Sequence, residues 1–548
     1  MDRIHLSQWL VILCLGMGSL GNPSLAQAQA VDQVPRFEKS ECPMSVTDSI
    51  ECGYLIVPED RQSQETGTIR VAVAIAHSFA DQPKRDPVVY LHGGPSSSLL
   101  WRSAWWAWSP FRADRDVILI DQRGSGFSKP SLDCPEMDEI PVETLTQGID
   151  LEMAAANHAT YALQCRDRLR AAGIRLEAYT NADIAADVED LRRLLGYKQW
   201  NLFAWSAGTR VALTILRDHP QGIRSVILDS IYMPPSVDFY AELMPNAVGT
   251  FQMLFDACTA DANCANTYPD LRGLFLHTVD KLNDNPLTFD VEHPFTGERY
   301  RARMNGAAFV GLIYRLLYNA GDLRILPKLI HDVYDGSAGL LPQLLVDPLI
   351  EPDRYFVGLN QSIHCSDEAP FTSNQAIAHA KASLDPRFDG FYHWDVDVRA
   401  FMQFCAQWGT RSPDQRENQP VVSSVPALIF AGTFDPASPP AHGKIAAQTL
   451  SNSYFFEFPT LSHFVWVSGG TCPQQIAHDF LDNPTAAPNA DCITQMRPLK
   501  FEIGAEPPLI RNVMQQPMVR ILLIISVGAG IIVIALSGLI CWQRYRRK

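Results

Sequence analysis

The chain has 548 residues, of which 47% are hydrophobic and 19% charged, and its formal net charge at pH 7 is −15. This length exceeds that of one simple domain and is sufficient for a large buried core. Residues 1–30 and 520–548 hold six Lys or Arg and one Asp, so the charge of residues 31–519 alone is −20. That balance repels phosphate groups, and we expect no nucleic-acid partner.

The first 30 residues are typical of a secretory signal peptide. Arg3 and the terminal amino group form a short positive region, which precedes an apolar run over residues 9–17. Two Ala-x-Ala sequences between Ala26 and Ala30 offer cleavage sites. We therefore predict a signal peptide over residues 1–30. Because Asp2 weakens the positive region, an uncleaved N-terminal anchor is the alternative.

Apolar runs typical of buried strands alternate with helical patterns in the following part of the chain. Over residues 182–195, Ile184, Val188, Leu191 and Leu195 recur at helical spacing. This alternation predicts an α/β fold with a mainly parallel sheet that is covered on both faces. The strand runs are residues 69–76, 88–91, 117–120, 200–203 and 226–228.

Buried-strand runs then stop, and they resume only at residues 427–430 and 454–456. The stretch between them is typical of several helices separated by Pro and Gly. We therefore predict an α/β core in two parts, residues 31–232 and 420–505. A mostly helical insertion over residues 233–419 separates the two parts.

Three short motifs follow the predicted strands. Residues 88–91 lead into His92-Gly93-Gly94-Pro95, and residues 117–120 lead into Asp121-Gln122-Arg123-Gly124-Ser125-Gly126. The third motif, Ala204-Trp205-Ser206-Ala207-Gly208, joins the next strand to a helical run. A serine on such a sharp turn needs small residues two positions to either side, because the backbones approach closely there.

Ser206, Asp435 and His463 form a candidate catalytic triad. Asp435 and His463 each follow one of the two late strands, and the order Ser, Asp, His is that of α/β-hydrolases. We predict that Ser206 is the nucleophile, that His463 takes its proton, and that Asp435 orients the imidazole. The backbone amides of Gly94 and Ala207 are the predicted donors to the oxyanion.

Several neighbouring residues have two possible roles. Asp229, which follows the strand at residues 226–228, is the main alternative acid, and Asp121 is another. We expect His92 to shape the oxyanion turn, and Asp121 and Arg123 to brace their loop. Four tryptophans after the Gly-Gly turn either form a wall of the acyl pocket or pack beneath the insertion: Trp101, Trp105, Trp106 and Trp108.

These motifs together resemble the prolyl iminopeptidase and tripeptidyl aminopeptidase group of α/β-hydrolases. The resemblance continues through residues 435–439 and 461–463, so it covers most of residues 40–500. It is strongest for the secreted tripeptidyl-aminopeptidase-like branch, whose C-terminal segment carries a cysteine pair like Cys472 and Cys492. Ser96 and Ala204 stand where this group often has glycine. Both are small, so these departures bear on substrate preference and not on catalysis.

The resemblance implies a cap over the active site and an aminopeptidase that needs no cofactor. Such enzymes neutralise the free amino terminus of a peptide, usually with buried carboxylates. Asp367 and Glu368 are the best-placed acidic pair in the insertion, and Glu242 is another candidate. An esterase acting on small or lipid-like esters is the alternative, because the triad does not distinguish amides from esters. A catalytically silent binding protein is a third interpretation, which the intact triad disfavours.

Cysteine content indicates an oxidising compartment. Ten of the twelve cysteines lie between the predicted signal peptide and the C-terminal apolar segment, and sequential pairing into five bridges is the simplest connectivity. Since there is no Cys-x-x-Cys and no His pair at zinc spacing, we predict no metal site. The ten are Cys42, Cys52, Cys134, Cys165, Cys258, Cys264, Cys365, Cys405, Cys472 and Cys492.

The C-terminus is typical of a membrane anchor. A linker over residues 506–520 leads to residues 521–542, which carry no charge and exceed the ~20 residues that span a bilayer. The basic tail, residues 543–548, belongs on the cytoplasmic side. We predict a membrane-anchored enzyme of the cell envelope, with its catalytic domain periplasmic or extracellular. A buried core helix is the alternative for residues 521–542.

Overall fold

The computed structural model describes residues 34–503 except 47–48, 64–66, 95–97, 103–105, 107–108, 139, 233, 347–355 and 394–397. The predicted signal peptide, linker, membrane span and basic tail therefore lie outside the described residues. Among the residues that are described, no helix is both long enough and apolar enough to cross a membrane.

A nine-stranded sheet organises the chain, in the spatial order β1-β2-β3-β5-β4-β6-β7-β10-β11. The pairs from β5 through β4, β6, β7 and β10 to β11 are parallel, whereas β1, β2, β3 and β5 pair antiparallel. The predicted α/β fold with a mainly parallel sheet is confirmed. The strands are β1 Arg36–Ser40, β2 Ile50–Pro58, β3 Thr68–Ala76, β4 Lys84–Leu91, β5 Arg115–Ile120, β6 Trp200–Ser206, β7 Ile223–Ile231, β10 Ala427–Gly432 and β11 Ser453–Phe458.

The central strands contain continuous apolar runs, such as residues 88–91 of β4, because both faces of the sheet are buried there. In β4, Val89 and Leu91 belong to one hydrophobic core, and Val88 and Tyr90 belong to the other. Successive side chains of a strand point to opposite faces, so each core takes every second residue. The parallel strands β4, β6, β7 and β10 are neighbours in that order, so their carboxyl ends share one edge of the sheet, where the candidate site lies.

Helices outside the β7–β10 connection accompany the sheet. The predicted helix at residues 182–195 is observed as Asn181–Leu194, and the Thr180 hydroxyl accepts a hydrogen bond from the Asp183 amide at its start (3.1 Å). The helices are Ile140–Gln147, Leu151–Ala171, Asn181–Leu194, Ala207–Asp218, Pro440–Ala447, Val465–Ser468, Thr471–Asp482 and Asp491–Thr494.

The connection between β7 and β10, residues 232–426, is here called the inserted segment. Besides helices it contains an unpredicted hairpin of two antiparallel strands, β8 Leu287–Glu292 and β9 Arg299–Met304. Its described helices are Phe239–Ala260, Ala262–Thr267, Leu271–Asp284, Gly306–Leu317, Leu326–Tyr334, Leu341–Leu344, Val357–Asp367, Asn374–Ala382 and Val398–Trp408.

Five disulfides join the ten cysteines, and the predicted sequential pairing is confirmed. The longest loop is closed by Cys365–Cys405, which ties the helices Val357–Asp367 and Val398–Trp408 together. The bridges are Cys42–Cys52, Cys134–Cys165, Cys258–Cys264, Cys365–Cys405 and Cys472–Cys492.

Candidate active site

Ser206 lies at the junction of β6 and the helix Ala207–Asp218, as the sequence predicts for a nucleophile on a sharp turn. Its backbone has φ 51° and ψ −132°. A non-glycine residue in this region costs ~1–3 kcal/mol, and such residues cluster at functional sites. The turn leaves Ser206 partly exposed, although its neighbours Trp205 and Ala207 are buried.

Small residues surround Ser206 because the backbones pack closely. A Cβ on Gly208 would lie 2.3 Å from the Leu91 carbonyl oxygen, and one on Gly93 would lie 2.7 Å from the Ser206 Cβ. The next residue, Gly94, has φ +57°, which glycine adopts without strain. The Gly93-Gly94 turn therefore lies directly against Ser206, where the oxyanion donors are predicted.

Asp435 and His463 are joined by a hydrogen bond. His463 Nδ1 lies 2.8 Å from Asp435 Oδ2, and the Asp435 carboxylate is fully buried. Asp435 Oδ1 accepts hydrogen bonds from the amides of Ala437 (3.0 Å) and Ser438 (2.8 Å). These two amides fix the carboxylate so that its other oxygen faces the imidazole.

The surroundings of His463 favour the charged imidazolium. Burial lowers the pKa of His463, but the charge and hydrogen bond of Asp435, with the charge of Asp229, outweigh this effect and raise the pKa above its usual value. An imidazole with this support can take a proton from a nucleophile and hold it.

Asp229, the alternative acid, is occupied by backbone amides. Its two carboxylate oxygens accept hydrogen bonds from Val465 (3.0 Å) and Trp466 (2.8 Å), which follow His463 in the chain. Burial raises the pKa of Asp229 to about 6, against the lowering effect of these hydrogen bonds. Beside it, the Ser230 hydroxyl accepts a hydrogen bond from the Phe464 amide (3.0 Å). Asp229 therefore anchors the loop that carries His463, and the geometry favours Asp435 as the partner of the imidazole.

Asp121 and Arg123 brace the loops beside the Gly-Gly turn. Asp121 Oδ1 accepts hydrogen bonds from the amides of Leu99 (2.8 Å) and Leu100 (3.1 Å), and burial raises the pKa of Asp121 to about 6. Arg123 binds both carboxylate oxygens of Asp187, each at 2.7 Å. These contacts fit the bracing role that we predict for both residues.

The tryptophans of this region differ in their surroundings. Trp106 is buried, and its ring lies 4.2 Å from that of Tyr90 and 5.3 Å from that of Trp205. Trp101 is 40% exposed, and its ring lies 5.6 Å from that of Phe356 in the inserted segment. Packing therefore accounts for Trp106, whereas Trp105 and Trp108 lie outside the described residues.

His92 belongs to the turn itself. Its Nδ1 is hydrogen-bonded to the Gly93 carbonyl oxygen, and its ring lies 4.6 Å from that of Trp205. Contacts of this kind fit the expectation that His92 shapes the oxyanion turn.

Asp367 and Glu368 are buried at the end of the helix Val357–Asp367. Asp367 accepts hydrogen bonds from the amide and side chain of Asn181 (2.9 and 2.8 Å). Glu368 Oε1 lies 3.4 Å from the guanidinium of Arg210, which is on the helix that follows Ser206. The same guanidinium is 3.5 Å from Glu417. The third predicted acid, Glu242, is exposed and so is not part of this buried cluster.

This cluster places three buried carboxylates around one arginine. Burial raises the pKa of Glu368 to about 8, and Asp367 and Glu417 add to the rise against the opposing charge of Arg210. Burial and the charge of Glu417 likewise raise the pKa of Asp367 to about 7. No motif in the sequence indicated Arg210 or Glu417, because each is one charged residue in an otherwise ordinary segment.

Comparisons with known proteins decide the family. A family model described as the alpha/beta hydrolase fold matches residues 86–287, and one described as TAP-like protein matches residues 393–492. This chain is an α/β-hydrolase. The two matched ranges include Ser206, Asp435 and His463, and the resemblance to the tripeptidyl aminopeptidase and proline iminopeptidase group is confirmed.

Several curated relatives of this α/β-hydrolase are peptidases by name. Serine protease Hip1 of Mycobacterium tuberculosis is 24% identical over 86% of this chain and 92% of its own length. Tripeptidyl aminopeptidase of Streptomyces lividans is 27% identical over 38% of this chain and 41% of its own. Proline iminopeptidase of Neisseria meningitidis is 26% identical over 28% of this chain and 34% of its own length. This α/β-hydrolase is a serine hydrolase of the same type.

Proposed function

We propose that this serine hydrolase is an exported aminopeptidase that releases residues or short peptides from the free N-termini of peptides. The observation that carries the catalytic part of the proposal, a serine hydrolase, is the 2.8 Å hydrogen bond between His463 and the buried Asp435, with Ser206 on a strained turn. The names of the relatives, serine protease and tripeptidyl aminopeptidase, support peptide substrates.

Acylation begins when Ser206 Oγ attacks the carbonyl carbon of the scissile bond. His463 takes the hydroxyl proton, and Asp435 stabilises the imidazolium that forms. The amides of Gly94 and Ala207 hold the negative charge that develops on the carbonyl oxygen. His463 then gives its proton to the leaving amine as the carbon–nitrogen bond breaks, which leaves the N-terminal product esterified to Ser206.

Deacylation repeats these steps with water as the nucleophile. His463 takes a proton from water, the hydroxide adds to the ester carbon, and the proton returns to Ser206 Oγ as the ester bond breaks. The products are a free carboxylate and an unmodified enzyme. No step of this sequence requires an additional group.

Glu368 is the best candidate to bind the substrate's ammonium. In the described part of the chain, Glu368 Oε1 has no hydrogen-bond partner, whereas Asp367 is already bonded to Asn181. An ammonium brought next to Glu368 satisfies this oxygen and offsets the repulsion from Asp367 and Glu417. A carboxylate that is buried without a sufficient counter-charge gains most from a cation.

The disulfides and the chain ends support a location outside the cytoplasm. Disulfides form and persist in oxidising compartments, and residues 34–503 contain five in the part that the structure describes. We propose that residues 1–30 direct export and that residues 521–542 tether the enzyme to the membrane. A chain truncated before Arg520 is then expected in the soluble fraction with its activity retained, and its recovery in membranes would reject this tether.

Covalent labelling tests the catalytic proposal. A fluorophosphonate should modify Ser206, located by peptide mass spectrometry, and Ser206→Ala should abolish labelling and lower kcat by ~10⁴- to 10⁶-fold. The exposed Ser383 offers a matched control, since Ser383→Ala should leave both unchanged. Labelling of a different serine, or substantial activity in folded Ser206→Ala, would remove Ser206 from its role.

A further inference from the structure

The inserted segment reaches the loop that carries His463. The C-terminal end of its helix Gly306–Leu317 supplies two backbone acceptors to this loop. The Leu317 carbonyl accepts a hydrogen bond from the Ser462 hydroxyl, and the Tyr318 carbonyl accepts one from the His463 amide (3.2 Å). The carboxyl end of a helix carries partial negative charge, which favours a cation nearby.

The side chain of Tyr318 also packs against the imidazole. The two ring centroids are 5.1 Å apart and the planes are inclined at 71°, an edge-to-face arrangement. The Tyr318 hydroxyl is bonded to the hydroxyl of Tyr314 (2.8 Å), one turn earlier on the same helix and almost fully buried. The Tyr318 ring is therefore held in place from its far end.

We propose that Tyr318 is a positioning residue for His463, supplied by the inserted segment. This inference rests on the triad mechanism proposed above. The ring fixes the imidazole plane and covers the hydrogen bond to Asp435, since the His463 side chain is only 13% exposed. Hydrogen bonds and ion pairs are stronger where water is excluded, so this cover strengthens the hold of Asp435 on the imidazolium.

The proposal separates the ring of Tyr318 from its hydroxyl. Tyr318→Ala removes the cover and admits water to the Asp435–His463 pair, whereas Tyr318→Phe keeps the ring. The groups that set the charge of the imidazole are Asp435 and Asp229, and their joint effect keeps the pKa of His463 above its usual value. Because water weakens that effect, Tyr318→Ala should lower the pKa toward the ordinary ~6.5.

The rate of fluorophosphonate inactivation measured from about pH 5 to 9 tests this inference in the full-length protein. This small probe needs His463 as the base but does not use the proposed ammonium site. We expect Tyr318→Ala to lower both the apparent pKa and the limiting rate, the rate by ~10- to 100-fold, as misplaced catalytic groups do. Tyr318→Phe, which keeps the ring, should show the apparent pKa and the limiting rate of the wild type. Tyr334→Ala is the matched control, a partly exposed tyrosine on the helix Leu326–Tyr334.

The outcomes distinguish this inference from the proposed function. If Tyr318→Ala keeps the wild-type profile while His463→Ala abolishes inactivation, the positioning role is wrong and the triad stands. If His463→Ala reacts at the wild-type rate, the triad proposal itself fails. Should Tyr318→Ala melt well below the wild type, Tyr318→Leu provides a second side chain without an aromatic ring, for which the same shift is expected.

Discussion

Two buried aspartates lie close to His463, and their hydrogen bonds separate their roles. Asp435 accepts a hydrogen bond from the imidazole Nδ1, whereas Asp229 accepts hydrogen bonds from the backbone amides of Val465 and Trp466. Asp435 therefore acts on the imidazole through both its hydrogen bond and its charge, whereas Asp229 fixes the path of the backbone and acts on the imidazole through its charge alone. Sequence position alone did not distinguish them, because each follows a predicted buried strand.

Asparagine substitutions should separate these roles. Asp435→Asn should lower kcat by ~10⁴-fold, because an amide no longer stabilises the imidazolium. Asp229→Asn should retain far more activity but lose ~1–3 kcal/mol of stability, since its NH₂ group cannot accept from a buried amide. Steady-state kinetics of both variants measure kcat, and thermal unfolding measures their stability. Inactivation by Asp229→Asn with an active Asp435→Asn would reverse the assignment.

Glu368 makes the stability of the protein depend on pH. Its pKa is raised to about 8 in the folded chain, mainly by burial, and lies near ~4.3 when the chain unfolds. The folded state therefore binds the proton more tightly, and this contribution is fully present below ~4.3 and is lost as the pH rises through about 8.

Glu368→Gln should flatten this dependence. We expect the wild-type Tm to fall between about pH 5 and 8.5, and the fall to be smaller by a few °C in the variant. Calorimetry across that range measures the difference, with the exposed Glu298→Gln as the matched control. Parallel curves of Tm against pH for the wild type and Glu368→Gln would contradict the raised pKa of the buried Glu368 carboxyl.

At the scale of elements, the strands that are buried on both faces could be predicted from the sequence, because their apolar runs have few other interpretations. Strand β10, residues 88–91 of β4 and residues 202–205 of β6 are continuous apolar runs because both of their faces are covered. The hairpin β8–β9 was missed, since Phe289 and Val291 alternate with exposed Asp290 and Glu292 over only six residues. So short an alternation is also typical of a polar loop.

The contacts between the inserted segment and the core were not predictable in the same way. Tyr318 and His463 are 145 residues apart, and no periodicity relates them. Arg210 is likewise buried on a helix whose pattern does not reveal its partners. Such contacts depend on how the inserted segment packs, which local sequence does not encode.

Two disulfides of the inserted segment differ in the length of chain that they close. Cys365 and Cys405 are 40 residues apart, whereas Cys258 and Cys264 are 6 apart. Replacing the first pair by serine should destabilise the protein by ~1.5 kcal/mol more than replacing the second, because the longer loop gains more entropy on unfolding. The stability that each double variant loses can be compared from its midpoint of chemical unfolding. Equal losses would indicate that loop length does not govern the stability of this segment.

On the scale of the whole molecule, the inserted segment carries the residues to which we assign substrate choice and the positioning of the base. Glu368 lies 3.4 Å from Arg210 on the helix that follows Ser206, and the ring of Tyr318 packs against His463. The core supplies Ser206, Asp435 and the Gly93-Gly94 turn. The proposed site for a free N-terminus would therefore lie against the helix that follows Ser206.

The comparison of one peptide anilide with its N-acetylated form tests the central claim most directly. Acetylation removes the ammonium that would stabilise the ionised form of Glu368, and a buried charge without its partner costs several kcal/mol. We expect kcat/KM to be ~10²- to 10³-fold higher for the free peptide, since each 1.4 kcal/mol is tenfold. An uncharged ester assayed beside them has no ammonium to bind, so Glu368→Gln should leave its kcat/KM unchanged. Equal kcat/KM for the free and acetylated peptides would contradict the aminopeptidase proposal and favour the esterase.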